Sequence, residues 1–272
     1  MPFERAPGTT RRRALQAGLG VAAVGLAGCT LSTSPYVATV ERSFDPGDAD
    51  ALAVETDGDV TLSTGDGDAI AATVRKESRS GEDALGAVTV EATTTEGRLA
   101  VGTRRPEEYV DVTVNLDLAV PPDLPVVGVT TENGDIQAAD VSGDGSYETT
   151  NGEIDVEGAA GAVTLSTTNG DVSVTGTPLS SARSTNGNVT ADVPATGEDV
   201  TLTTTNGDVT AAVAADRGGR VRLRTEAGDA SVGGPSVSVA ESSSRRVEGR
   251  IGEGTHELTL RSTSGDVTLR SL

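Results

Sequence analysis

The chain has 272 residues, of which 41 are acidic and 21 basic, and its formal net charge is −20 at pH 7. This acidic excess argues against binding to nucleic acid or to anionic lipid headgroups, because phosphate recognition requires clustered positive charge. The single cysteine excludes an intramolecular disulfide, so stability must come from hydrogen-bonded strands, a core or bound ions.

Residues 1–28 have the pattern of an export signal and are set apart from fold reasoning. Arg11 and Arg12, in the run TRRRALQAG, resemble the twin-arginine motif of proteins that are exported already folded. The uncharged stretch 14–27 that follows is shorter than the ~20 residues that a membrane span needs. We therefore expect an exported protein.

The export signal ends in LAGC, which resembles a lipobox, where Cys29 becomes the lipidated first residue of the mature chain. The alternative is an ordinary signal followed by a chance cysteine. Residues 29–36 suit a lipidated tether. These features predict an extracytoplasmic protein with the membrane as its partner, anchored to the outer face of the cell membrane through Cys29.

Without residues 1–28 the chain loses four arginines and one glutamate, and its formal charge becomes −23. Lys76 is the only lysine, beside twenty arginines. This balance resembles that of proteins from extreme halophiles, where salt screens self-repulsion. The alternative is simply an acidic surface.

Residues 37–128 predict an N-terminal β cap or long coils. Short strands flank the turns at Asp57-Gly58 and Glu96-Gly97, and the segment YVDVTVNLDLAVP alternates apolar and polar residues. We favour a cap, since a solenoid needs atypical ends that protect its terminal strand edges.

Residues 129–232 repeat one phrase five times, with spacings of 18, 18, 17 and 20 residues. The repeat marks a stacked architecture. Its five Asn-Gly pairs are predicted structural turn residues: Asn133, Gly134, Asn151, Gly152, Asn169, Gly170, Asn186, Gly187, Asn206 and Gly207. Asn and Gly suit a bend in the backbone at little steric cost.

Apolar residues stand at fixed positions around each turn, four before the asparagine and three and five after it, so each unit reads as strand, turn, strand. The predicted fold is all-β, a single-stranded β-solenoid (β-helix-like) with repeats of about 18 residues and looser N-terminal coils or cap. Stacking would place the asparagines in a ladder. A sandwich or barrel of Asn-Gly hairpins is the alternative.

Residues 233–272 predict an irregular excursion, rich in Ser, Gly and Arg, and then closing strands. The phrase returns with Ala227 in RLRTEAGDASV and with Ser264 in LRSTSGDVTL. The last strand is expected to close the chain within the repeat pattern.

The chain from roughly Phe44 to Leu272 resembles the putative adhesin family, a domain of unknown function in bacterial and archaeal envelope proteins. The resemblance rests on the recurrent TTNGD(V/I)xV, on LDLAVP, and on GRIGEG followed by LRSTSGDVTL. It implies a β-solenoid, a surface location and the adhesin role, and it brings no catalytic residues.

Few residues have the chemistry of a catalytic or metal site. His256 is the only histidine, so a triad or zinc site would have to be built on it. Acidic residues follow the turn glycines, and stacking would align them, so Asp135, Asp171 and Asp208 are candidate calcium ligands. Screening with hydrogen bonds from turn amides is the alternative, and no other cofactor is expected.

We expect a non-enzymatic cell-surface lipoprotein, an adhesin or envelope scaffold whose ligand is an unidentified surface or envelope protein. One alternative is an envelope sensory or regulatory module that binds a partner protein. A second is a polysaccharide-acting β-helix enzyme with paired carboxylates.

Overall fold

The computed structural model describes residues 34–107, 110–195, 198–214, 216–234 and 237–272. Arg11 and Arg12 of the predicted export signal, the predicted lipidation site Cys29 and the start of the tether lie outside the described residues. Strands make up 63% of the structure, which confirms the all-β class. None of the described helices is long and apolar enough to cross a membrane.

The N-terminal half is built from short strands and one six-residue helix. These elements are β1 (Tyr36–Phe44), β2 (Ala51–Glu55), β3 (Val60–Thr64), β4 (Ile70–Ser78), α1 (Glu82–Ala87), β5 (Thr89–Thr95), β6 (Arg98–Arg104), β7 (Val112–Val120), β8 (Val126–Thr131) and β9 (Ile136–Ala139). The asparagine-glycine phrase first appears between β8 and β9.

The regular elements among the described residues of the C-terminal half are all strands. They are β10 (Ser146–Asn151), β11 (Ile154–Glu157), β12 (Val163–Asn169), β13 (Val172–Thr175), β14 (Leu179–Asn186), β15 (Val189–Val193), β16 (Val200–Asn206), β17 (Val209–Val213), β18 (Gly219–Ala227), β19 (Ala230–Gly233), β20 (Val237–Ser243), β21 (Arg246–Ile251), β22 (Glu257–Ser264) and β23 (Val267–Ser271).

The strands form two mixed sheets. Sheet 1 has the order β1-β4-β7-β3-β9-β11-β13-β15-β17-β23-β19, and sheet 2 has the order β20-β21-β18-β22-β16-β14-β12-β10-β8-β2-β6-β5. Each Asn-Gly turn carries the chain from sheet 2 to sheet 1, as between β10 and β11. The strands on its two sides therefore do not pair, and the hairpin alternative is wrong.

Neighbouring units pair in parallel, so the coils stack as in a β-solenoid. β10 pairs with β8 and β12, while β11 pairs with β9 and β13. The register aligns equivalent positions, so that Asn151 lies opposite Asn169, Asn169 opposite Asn186, and Asn186 opposite Asn206. Identical residues therefore follow one another at the strand spacing of about 4.8 Å.

The core lies between the two sheets and consists of the predicted apolar columns. The column before the turn holds Val129, Tyr147, Leu165, Ala182 and Leu202, each at most 1% exposed. The column after the turn is buried to the same degree and holds Ile136, Ile154, Val172, Val189 and Val209. Each fully buried Val, Leu or Ile contributes roughly 1.5–3 kcal/mol to folding, so these columns hold the sheets together.

The N-terminal end combines parallel coils with antiparallel strands. The coil β2–β3 stacks directly on β8–β9, and β6 and β7 add parallel neighbours beyond it. Antiparallel β5 then covers β6, while β4 and β1 extend sheet 1 beyond β7. These antiparallel strands end the stack on this side.

The C-terminal coils do not stack in sequence order. β22 pairs with β16 on one side and β18 on the other, and β23 lies between β17 and β19. The last unit of the chain is thus inserted between two earlier units. Residues 233–256, expected to be an irregular excursion, contain β20 and β21, which pair with each other and extend sheet 2 beyond β18.

Candidate functional site

The asparagines of the repeated turn form a ladder on the protein surface. The side-chain amide of each asparagine donates a hydrogen bond of 2.8–2.9 Å to the side-chain oxygen of the asparagine one coil before it. The ladder runs through Asn133, Asn151, Asn169, Asn186 and Asn206. These side-chain hydrogen bonds connect the turns of adjacent coils.

A second ladder lies just inside the turn. A buried Thr or Ser hydroxyl donates to the carbonyl of the turn glycine one coil away, at 2.6–3.0 Å. Its members are Thr131, Thr149, Thr167, Ser184, Thr204, Thr225 and Ser262. Each bond satisfies a buried hydroxyl, which would otherwise carry a desolvation cost of about 1–3 kcal/mol.

The turn glycines are required by close packing between coils. A Cβ atom placed on Gly170 would lie 1.9 Å from the carbonyl oxygen of Gly152, and on Gly152 it would lie 2.0 Å from that of Gly134. Gly170 also has φ +155, in the region that favours glycine. The glycine column thus lets adjacent turns approach closely enough for both ladders to form.

The candidate calcium ligands are engaged with backbone amides. Oδ1 of Asp135, Asp171 and Asp208 accepts the N–H of Glu153, Asn188 and Asp266, respectively, at 2.7–2.8 Å. Within the described residues, no three His, Cys, Asp or Glu side chains are grouped so that they could hold a metal ion. The acidic positions that follow the turn glycines therefore stack through charge-assisted hydrogen bonds between carboxylate and backbone amide.

His256 has few reactive neighbours. Its Nδ1 lies 3.9 Å from Oδ1 of Asp199, and both side chains are substantially exposed. No Ser or Thr hydroxyl makes a hydrogen bond to this imidazole among the described residues. The described part of the chain thus lacks the nucleophile–base hydrogen bond that defines a catalytic triad.

Tyr147 places a polar atom inside the apolar column. The side chain is fully buried, and its hydroxyl has no hydrogen-bond partner among the described residues. Burial raises the pKa of this phenol to about 12, because the charged form is poorly solvated. The sequence placed Tyr147 in the core, but it could not show that the hydroxyl is unpaired.

One buried cation, Arg217, and one half-buried cation, Lys76, were not anticipated from the sequence. Arg217 is 3% exposed and donates to the carbonyls of Pro194 and Glu198, and burial lowers its pKa. Lys76 donates to the carbonyls of Leu85 and Val88, the first in α1 and the second just after it, and burial also lowers its pKa. The hydrogen bonds of both side chains hold loop segments against the stack. No motif or spacing in the sequence predicts this role.

Two clefts lie beside the stack. The larger, of about 590 Å³, is bordered by the ion pair of Arg105 with Asp57 at 2.5 Å, and its other charged residues, Glu107, Asp111 and Glu132, are acidic. The second, of about 460 Å³, includes Arg217.

The outer face of sheet 2 is polar and regular. Its exposed positions form rows that cross the strands, and one row passes from Ser146 through Thr164, Ser181, Thr201 and Thr259. The next row carries arginines on several strands. The side chains of these rows lie outside the two turn ladders.

Comparison with solved structures finds distant resemblances. A putative cell adhesion protein from Clostridium sporogenes is 9% identical, with 88% of this chain and 100% of the other covered and a TM-score of 0.39. A putative adhesin from Bacteroides fragilis is 9% identical, with 85% of this chain and 97% of the other covered and a TM-score of 0.41. A putative adhesin from Parabacteroides merdae is 10% identical, with 86% of this chain and 95% of the other covered and a TM-score of 0.32.

No curated protein matches the sequence. One family model does match, that of Toastrack DUF4097, over residues 115–270, which is more than half of the 272-residue chain. The matched region begins in β7 and includes all five Asn-Gly turns, both ladders and the inserted final coil. The chain therefore belongs to the Toastrack DUF4097 family.

Proposed function

We propose that the protein is a non-enzymatic cell-surface lipoprotein that acts as an adhesin or envelope scaffold. Arg11 and Arg12 direct export by the twin-arginine route, and Cys29 carries the lipid that holds the chain on the outer face of the cell membrane. The tether at 29–36 separates the β-stack from the membrane surface. The acidic composition suits a saline medium of the kind that halophiles inhabit.

One observation carries this proposal: the side chains that recur in every turn make hydrogen bonds to the adjacent coils. The asparagine side chains of the turn bind one another, and the threonine and aspartate side chains bind main-chain atoms one coil away. We infer that the repeat of about 18 residues serves as a rigid spacer that presents a polar face. A scaffold that displays a surface needs no catalytic group.

Membrane anchoring is tested by a Cys29→Ser variant and cell fractionation. The wild-type chain is expected in the membrane fraction, and the variant in the soluble or released fraction, because the lipid can no longer be attached. Replacing Ser34 instead of Cys29 gives a matched control that should stay with the membrane. Membrane retention of Cys29→Ser at the wild-type level would overturn the anchor.

The surface role is tested by deleting the gene and measuring attachment and cell aggregation. Reduced attachment that is restored by the wild-type gene, and not by the Cys29→Ser variant, is the expected result. Normal attachment together with an altered envelope-stress response would instead assign the protein to the sensory class and end the adhesin proposal.

A further inference from the structure

Charge is distributed unevenly along the acidic chain. Residues 217–272 contain nine arginines and seven acidic residues, a formal charge of +2, whereas residues 34–216 contain eight basic and 33 acidic residues, a formal charge of −25. The C-terminal segment contributes β18, β20, β21 and β22 of sheet 2. Positive charge is therefore concentrated at one end of this sheet.

Three of these arginines lie in one row across adjacent strands, together with Arg183 from the preceding segment. Arg183 on β14 lies opposite Thr203 on β16, Thr203 opposite Arg261 on β22, Arg261 opposite Arg224 on β18, and Arg224 opposite Arg246 on β21. We call these five residues the arginine row. With neighbouring strands about 4.8 Å apart, the row extends across about 19 Å.

The chain neutralises only part of the row. Arg261 forms an ion pair with Glu226 at 2.9 Å, and Arg246 with Glu248 at 2.6 Å. The exposed side chains of Arg183 and Arg224 have no hydrogen bond or ion pair among the described residues. Like charges directly opposite each other destabilise a sheet, so Arg224, between two other arginines, lacks a counter-charge that an external anion would provide.

A shallow groove lies between Arg183 and Arg261. Its volume is about 250 Å³, and its lining includes the hydroxyl side chains of Thr203, Thr205 and Thr263. Ser184 and Thr204 also line it, but their hydroxyls already donate to turn-glycine carbonyls. Guanidinium groups bind carboxylate and sulfate through two parallel hydrogen bonds, and hydroxyls can bind neutral sugar hydroxyls. Charged guanidinium donors and neutral hydroxyl donors thus lie side by side in this groove.

We propose that the arginine row binds a linear anionic polysaccharide whose carboxylate or sulfate groups pair with Arg183, Arg261 and Arg224. An extended polymer matches the length of the row. The row has no aromatic side chain on which bases could stack, which disfavours single-stranded nucleic acid. It also lacks the apolar anchors of protein interfaces, which disfavours a protein ligand. This inference rests on the proposed surface role and names its ligand class.

The row lies toward the end of sheet 2 opposite β5 and β6, the N-terminal strands that close its other end. At high salt only groups in direct contact retain their attraction, because the screening length falls to ~3 Å at 1 M. Bidentate arginine–anion pairs satisfy this condition, whereas a diffuse positive surface does not. The site is therefore suited to a saline medium.

Binding is tested with the full-length chain, purified in detergent, on immobilised polygalacturonate, dextran sulfate and neutral dextran. The triple variant Arg183→Thr, Arg224→Thr and Arg261→Thr is compared with the charge-matched variant Arg42→Thr, Arg79→Thr and Arg98→Thr, whose positions lie in the N-terminal strands or the loop after β4. Circular dichroism verifies the fold of both. If the row variant does not fold, the three Arg→Lys changes, which keep the charge and remove the guanidinium fork, replace it.

The wild-type chain should bind at least one anionic polymer and not neutral dextran. The row variant should bind roughly tenfold more weakly or worse, and the control variant within about twofold of wild type. Equal losses in both variants, equal binding to neutral dextran, or tighter binding to a single-stranded oligonucleotide would each overturn the proposal.

A cell assay separates this inference from the proposed function. If cells carrying the row variant attach as wild-type cells do, the arginine row is not the adhesive site, although the surface role stands. If purified protein binds the polymer through the row but deletion leaves attachment unchanged, the row binds polysaccharide and the adhesin role fails.

Discussion

Each residue of the repeated turn has a separate task. In the unit around Asn169, Thr167 satisfies a buried carbonyl, Asn169 bonds the neighbouring asparagines on the surface, Gly170 allows close approach, and Asp171 accepts an amide from the next coil. Three of the four act through hydrogen bonds to adjacent coils. A Cβ atom at the glycine would prevent the close approach of the coils on which the hydrogen bonds of the other three residues depend.

We predict that Gly170→Ala costs more than about 3 kcal/mol of unfolding free energy, since its Cβ would overlap the carbonyl oxygen of Gly152 and its φ is unfavourable for alanine. Chemical denaturation measures the loss. Gly128→Ala is the control, because a Cβ there has no atom within 4 Å, and its stability should change by less than about 1 kcal/mol. Equal effects of the two changes would contradict the close-approach explanation.

Tyr147 predicts a pH dependence above neutrality. Its folded-state pKa of about 12 exceeds the ordinary value of 10, so the folded chain retains a proton that the unfolded chain loses. The stabilisation is complete below pH 10 and decreases as the pH rises toward 12, by about 2–3 kcal/mol. Denaturation of wild type and Tyr147→Phe across this range isolates the effect, because only wild type should show it.

At neutral pH the same Tyr147→Phe change should raise the free energy of unfolding by about 1 kcal/mol, since it removes a buried hydroxyl without a partner. A decrease in the free energy of unfolding would mean that the hydroxyl is hydrogen-bonded in solution.

The repeated phrase made the turn and core residues predictable. Alternation around Asn133 and its equivalents fixes which side chains face inward, and the buried columns agree with it. The buried cation Arg217 could not be predicted, because its acceptors, the carbonyls of Pro194 and Glu198, are main-chain atoms that no side-chain pattern encodes.

Among the elements, the inserted unit β22–β23 distinguishes this stack from a simple sequential solenoid. β16 pairs with β22, and Leu202 lies opposite Leu260, although 58 residues separate them. The repeated phrase occurs at both Ala227 and Ser264, so the sequence contains two equivalent turns, either of which could stack next to the turn of Asn206. Local patterns cannot decide between them, and for this reason the order of the coils and the arginine row were not predicted.

Leu260 and Leu272 test whether the C-terminal segment is an interior coil. Leu260 is fully buried between β16 and β18, so Leu260→Ala should cost about 2–5 kcal/mol of unfolding free energy. Leu272, twelve residues later, is 66% exposed, and its change to alanine should cost less than about 0.5 kcal/mol. A small effect at Leu260 would indicate that the segment is peripheral.

For the whole molecule, net charge is the dominant electrostatic property. The segment 34–216 carries a formal charge of −25, and the aligned carboxylates at Asp135, Asp171 and Asp208 contribute to it. Their amide partners compensate each carboxylate locally, but long-range repulsion remains and depends on ionic strength.

We predict that the melting temperature rises with KCl from low salt to molar concentration and does not respond to calcium. Millimolar CaCl₂ and EDTA, compared at constant ionic strength, should give equal melting temperatures, because Oδ1 of each carboxylate already accepts a backbone amide. Potassium should therefore be sufficient for full stability. A decrease in EDTA that calcium reverses would demonstrate a specific cation site, and indifference to salt would show that repulsion is unimportant.

The insertion of β22 and β23 also affects how the chain can be made. During translation, β18 and β19 emerge from the ribosome before the strands that join them to β16 and β17. Until β22 and β23 leave the exit tunnel, each of those four strands has a free edge, which other nascent chains could pair with. Completion of the stack therefore waits for β22 and β23. A chain that ends prematurely displays open strand edges, by which proteases and chaperones can recognise it.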